Sequence, residues 1–109
     1  MKRGELWTAA ASASYANKPR PVVILQADSF DATSSITVCG LTTEHAAADY
    51  ARVPVNPDEK NGLRVRSWVM TDKIVTIPKA RLGKCIGILD GTVLQGIDCA
   101  IVVFLGLSP

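Results

Sequence analysis

The stretch PVVILQADSFDATSSITVCGLTT, Pro21 to Thr43, decides the fold. Its first part, Pro21–Ala27, is a nearly continuous apolar run with β-branched residues, the composition of a core strand. DSFDATSS follows, rich in Asp and Ser, whose side chains bond to nearby backbone and favour a turn. ITVCGLTT, Ile36 to Thr43, is a second strand. Its two-residue period puts Ile36, Val38, Gly40 and Thr42 on one face and turns Thr43 to the other. Two such strands joined by a turn set an antiparallel frame.

The flanking chain extends that frame. GELWTA reads as a first strand and AASASYANKP as the loop behind it, with Pro19 and Pro21 stiffening its exit. YARVPVNP is a short strand that Pro54 confines to an edge or an end. Asn61-Gly62 is a turn signal. RVRSWVMTDKIVTI, Arg64 to Ile77, reads as a long, bent strand. Pro78 opens a helical turn through KARL that Gly83 can end, and KCIGIL is the last strand. Asp90 then fits a helix N-cap. Val93, Ile97, Ile101 and Leu105 recur at spacings of four, and Gly106 is a stop. The helix is apolar almost all round, so part of it packs on the sheet and the remainder is available to a partner chain. The expectation is one domain over residues 1–109. It is mostly β with a C-terminal helix (α+β), built as a small antiparallel barrel or half-barrel.

Composition narrows the function classes. With 109 residues, 48% hydrophobic and 20% charged, the chain is globular in type. A net charge of +2 permits an acidic partner without demonstrating one. Cys39, Cys85 and Cys99 form no C-x-x-C pair, and with the single His45 they make no metal-ligand spacing. They read as buried small hydrophobes in a reducing compartment. The ASA triplet near the start has no apolar run before it, which argues against a secretory leader. No run approaches membrane-spanning length, so a cytoplasmic protein is expected.

Several segments, taken in order, resemble one family. They are MKRGELW, RPVVIL, ITVCGLT, NGLRVRSWVMTDKIVTIPKARLGKCIGIL and GIDCAIVVFLGL. The series is similar to the MazF/PemK toxin endoribonucleases of type II toxin–antitoxin modules and covers nearly the whole chain. The resemblance implies an SH3-like small barrel of the CcdB/PemK/MazF type and a homodimer. It implies cleavage of single-stranded RNA, often mRNA, without a metal or other cofactor, leaving a 2′,3′-cyclic phosphate and a 5′-hydroxyl. It also implies a cognate antitoxin of the MazE/PemI kind. Two other readings share the barrel: a CcdB-like gyrase inhibitor, and an RNA-binding module that has lost catalysis.

The resemblance also nominates residues. Arg20 matches the strand-entry arginine of the family's RP motif, and its planar fork can hold two phosphate oxygens. Without the family match it would read as a surface arginine. Thr42 matches the threonine at the end of the third strand, where its hydroxyl can donate to phosphate or position a 2′-hydroxyl. Both are nominated as catalytic. Asp72 falls with Trp68, Met70 and Ile74 on an apolar face if counted by two. Partial burial there would raise its pKa and suit a base, while a turn-bonding role is the alternative. Some family members carry an arginine two residues before this aspartate, where this chain has Met70. The first loop lacks the family's Glu-Gln pair, leaving Tyr15, Asn17 and Lys18. Of these, Tyr15 could stack on a base and Lys18 could meet a phosphate. Tyr15, Lys18 and Asp72 are the RNA-binding nominees. Arg64, Arg66, Lys73, Lys79, Arg81 and Lys84 add a basic cluster. His45 reads as an exposed loop histidine.

Overall fold

A computed structural model describes residues 1–10, 19–45 and 51–107. Six strands precede one long helix: β1 (Glu5–Ala9), β2 (Arg20–Ile24), β3 (Ser35–Thr42), β4 (Arg52–Val55), β5 (Ser67–Pro78) and β6 (Leu82–Ile88), then α1 (Gly91–Leu105). They form one antiparallel sheet in the order β4-β5-β3-β2-β1-β6. The expected α+β architecture is therefore present, with β4 at the edge as Pro54 requires. The sheet curls until the loop after β4 meets β6, where Ile88 N–H donates to the Lys60 carbonyl at 2.9 Å. Gly62 makes that closure possible. Its φ is +70°, and a Cβ there would lie 2.1 Å from the Ile86 carbonyl oxygen. Asn61, 1% exposed, locks the loop: its side chain donates to Asn56 O at 2.9 Å and accepts from Leu63 N at 3.0 Å.

Alternation along the strands sends side chains into two apolar clusters, one on each face of the sheet. Leu6, Val23, Cys39, Leu41, Val55, Val69, Leu89 and Ile97 form the first, beneath α1, with Val93, Leu94 and Ile101 packed on it. Ala9, Ile24, Ile36, Val38 and Ile77 form the second, with Trp7, Val22 and Leu82 against it. Helix α1 starts where expected: the Asp90 carboxylate accepts from Thr92 N at 2.8 Å, and Gly106 ends it at φ 70°. Only Ile97 is fully buried in the helix, whereas Val103, Phe104, Leu105 and Leu107 are exposed. Arg3 ties the helix to β1's entrance through an ion pair with Asp98 and a 2.9 Å bond to Leu25 O. Among the described residues, no helix is long and apolar enough to cross a membrane.

Four expectations change. The turn after Pro78 is a single 3₁₀ turn, Lys79–Arg81, and Gly83 lies inside β6 rather than ending a helix. Strand β5 begins at Ser67, so Arg64 and Arg66 sit in the preceding loop and strand alternation does not govern them. Cys85 and Cys99 are exposed, and only Cys39 is buried. The fourth change concerns the inside of β5. Cys39 pairs with Ile74 and Leu41 with Val69, so Met70 to Lys73 stand against the single Gly40. This bulge breaks the two-residue count. Ile74 packs on the first cluster, and Met70 no longer shares its face.

Candidate active site

On the face away from α1, the second apolar cluster floors a cavity of about 520 Å³. That size suits a ligand-binding cleft. Its rim is positive: Arg20 from the start of β2, Lys73 from the β5 bulge and Arg81 from the 3₁₀ turn all line it, with Thr42 at the end of β3. Four separate chain segments are needed to bring these groups together. Strand β2 positions Arg20 because Val23 and Ile24 are fully buried and hold the strand's entrance in place. Strand β3 positions Thr42 by alternation, since Val38, Gly40 and Thr42 line one side. Thr43 is exposed and does not line the cavity.

The Thr42 hydroxyl oxygen accepts from Glu44 N–H at 3.1 Å. That bond orients the group and leaves its proton free to be donated. Gly40 makes room for Met70, whose terminal methyl would sit 3.1 Å from a Cβ at that position. Met70 thus roofs part of the cavity with an uncharged, flexible side chain. The bulge that turns Lys73 inward is anchored at Thr71, fully buried, whose N–H and hydroxyl both donate to Ala51 O at 2.9 and 2.6 Å. The lining contains no carboxylate and no imidazole among the described residues.

Asp72 departs from the sequence-based expectation. Its carboxylate pairs with Arg52 of β4 at 3.0 Å. Burial pushes the Asp72 pKa up, but the Arg52 hydrogen bond, a backbone bond and the charges of Arg52 and Lys73 outweigh that and hold it below its ordinary value. It is ionised at neutral pH, which corrects the expected upward shift, and it does not line the cavity. Arg52 was not nominated from sequence. Its partnership depends on β4–β5 register, in which Arg52 faces Met70. Lys73 and Arg81 were legible only as members of a basic cluster. Of that cluster, Lys79 instead pairs with Asp31 at 3.5 Å. Tyr15 and Lys18 lie outside the described residues. His45, exposed as expected, stacks on Trp68. Cys39 offers no nucleophile: burial first, then the Asp72 charge, push its thiol up to about 12.

Comparison with known proteins places the chain in a family. Residues 2–105 match the family model described as PemK-like, MazF-like toxin of type II toxin-antitoxin system. The chain is 43% identical over 108 residues to a protein of Mycolicibacterium smegmatis named "Probable endoribonuclease MazF", covering 99% of both chains. Among solved structures, Mycobacterium tuberculosis toxin MazF-mt6 superposes with a TM-score of 0.80 at 29% identity, over 96% of this chain and 99% of that one. A mycobacterial endoribonuclease in complex with its cognate antitoxin shares the fold, with a TM-score of 0.83 at 23% identity over 100% and 98%. With its fold, its near-complete family match and a full-length relative in agreement, this chain belongs to the PemK-like, MazF-like toxins of type II toxin–antitoxin systems.

Proposed function

We propose that the chain is a cytoplasmic, metal-independent endoribonuclease toxin, active as a homodimer on single-stranded RNA and neutralised by a cognate antitoxin. The observation that carries this reading is the convergence of Arg20, Lys73, Arg81 and Thr42 on one cavity within the family fold. Cleavage by 2′-hydroxyl attack places extra negative charge on a crowded phosphorus, and preorganised cations and donors stabilise that state. Arg20 grips two phosphate oxygens with its fork. Thr42 donates its free hydroxyl proton to the phosphate or holds the 2′-hydroxyl. Arg81 adds charge from the 3₁₀ turn before β6. Arginine keeps its proton at physiological pH, which leaves Lys73 as the lining group able to give one to the departing 5′-oxygen. The 2′-hydroxyl proton passes to solvent water as its oxygen bonds to phosphorus, the bond to the 5′-oxygen breaks, and a 2′,3′-cyclic phosphate and a 5′-hydroxyl result, the neutral Lys73 amine then regaining its proton from water. Asp72 serves this site by holding Arg52 beside Met70.

The test is incubation of purified protein with a mixed single-stranded RNA pool in EDTA, with both ends of each product mapped. Cleavage to cyclic phosphate ends is expected. Arg20→Ala should lower the rate by about 10²–10³ with the fold retained, since Arg20 is exposed. An intact pool with the wild type, or equal cleavage by Arg20→Ala, would overturn the assignment.

A further inference from the structure

Beside the cavity three flat groups lie in contact. The His45 and Trp68 rings stack with centroids 4.8 Å apart and planes 19° from parallel, and the Arg66 guanidinium carbon lies 5.3 Å from the Trp68 ring centroid. None of the three is in the core. Val69 and its alternates Ser67 and Thr71 are buried, whereas Trp68 is only half-buried, and His45 and Arg66 are exposed. The stack is also placed against the chemistry. Trp68 is the direct cross-strand partner of Thr42, which lines the cavity. Directly opposed residues on an antiparallel pair project to the same side, with Cβ atoms about 4.5–5.5 Å apart.

We propose that His45, Trp68 and Arg66 form a nucleobase subsite that holds an unpaired RNA base next to the scissile phosphate. The inference rests on the endoribonuclease reading and assigns that site a base-binding wall. Imidazole, indole and guanidinium are the planar groups on which splayed-out bases stack. Already stacked on one another, they offer a flat surface without further ordering when RNA arrives. The exposed ring of His45 continues the stack outward, and the Arg66 charge draws in the adjoining phosphate. The cations of the cavity would then position the backbone, while this wall selects what is attached to it.

Two measurements test the subsite. In the first, products of the wild type, His45→Ala and Trp68→Phe are end-mapped on the same RNA pool. His45→Ala should raise KM by about tenfold, more than it lowers kcat, and relax base preference at one position beside the cut. Trp68→Phe, which keeps a ring, should retain most of the preference. In the second, a Trp7→Phe protein leaves Trp68 as the sole indole, and it is titrated with a 2′-deoxy oligonucleotide that cannot be cut. Saturable quenching is expected, and it should weaken in the His45→Ala background. Unchanged KM and cut-site preference in folded His45→Ala would overturn the subsite while leaving the endoribonuclease reading intact. If the wild type cuts no RNA yet the oligonucleotide quenches Trp68, the reverse holds. Absence of quenching, as expected of a stack that receives a protein side chain instead, would overturn the subsite.

Discussion

Arg52 faces Met70 across the β4–β5 pair, and its guanidinium meets the Asp72 carboxylate through two contacts, at 3.0 and 3.4 Å. A cation therefore sits beside the uncharged Met70, delivered by a neighbouring strand. Both partners are largely covered, 12% and 24% exposed, so the pair is not a freely solvated surface contact. Asp72→Asn should cost about 1–2 kcal/mol near neutral pH, read as a lower urea midpoint. The sign of its pH dependence follows from the lowered carboxyl: folding favours the ionised form. The stabilisation is complete above the ordinary value of 3.8 and is lost as pH falls from there through the folded-state value. The gap between wild type and Asp72→Asn should accordingly close in acid. A gap that stays constant between about pH 6 and about pH 3 would show that Asp72 acts other than through its charge.

Lys73 separates two kinds of contribution to catalysis. If it supplies a proton, Lys73→Arg preserves the charge yet cannot release a proton usefully, and should lose about 10²-fold or more in rate. If it supplies charge alone, Lys73→Arg should restore most of what Lys73→Met loses. The proposed role predicts similar losses for both variants in single-turnover cleavage.

Gly62 is the backbone position least tolerant of a side chain on the loop that meets β6. Gly62→Ala combines a positive φ with a Cβ 2.1 Å from the Ile86 carbonyl oxygen. It should destabilise by more than about 2 kcal/mol, measured as a shift in thermal or urea midpoint. A variant within about 0.5 kcal/mol of wild type would show that the loop moves away freely.

The outer end of α1 bears on assembly. Val103 is 74% exposed, and Phe104, Leu105 and Leu107 are each more than half exposed. For the proposed homodimer, Val103→Asp should leave the fold and its circular dichroism unchanged while shifting the sedimenting species toward monomer at micromolar concentration. A dimer that persists in this variant would move the interface to another surface.

Much of the fold was readable because its signals are local. The β-branched runs at Val22–Ile24 and Ile36–Val38 mark strands, Pro54 marks an edge, and Asp90 and Gly106 bracket a helix whether or not anything packs on it. The side of β3 that carries Thr42 was readable for the same reason, because alternation is a property of one strand. The inward turn of Lys73 was not. It depends on how many residues of β5 stand against Gly40, a count set by pairing between segments far apart in the chain. The pairing of Arg52 with Asp72 and the contact of His45 with Trp68 are hidden for the same reason. The lowered pKa of Asp72 is not legible in the sequence, because burial shows in the pattern of its neighbours while the cation opposing it lies twenty residues upstream on another strand.

The bulge in β5 also bears on how such a protein can change. The strand is fastened on both sides of it, at Val69 against Leu41 and at Ile74 against Cys39, so each half keeps its own place in the core. Within the segment Met70 to Lys73, Thr71 is fully buried and bonded to Ala51 O, so it belongs to the scaffold. Met70 and Lys73 line the cavity and can be replaced without moving either fastener. The segment is therefore a fixed frame carrying two exchangeable side chains. Through it, descendants of one barrel can exchange the chemistry of the cavity wall without refolding the sheet.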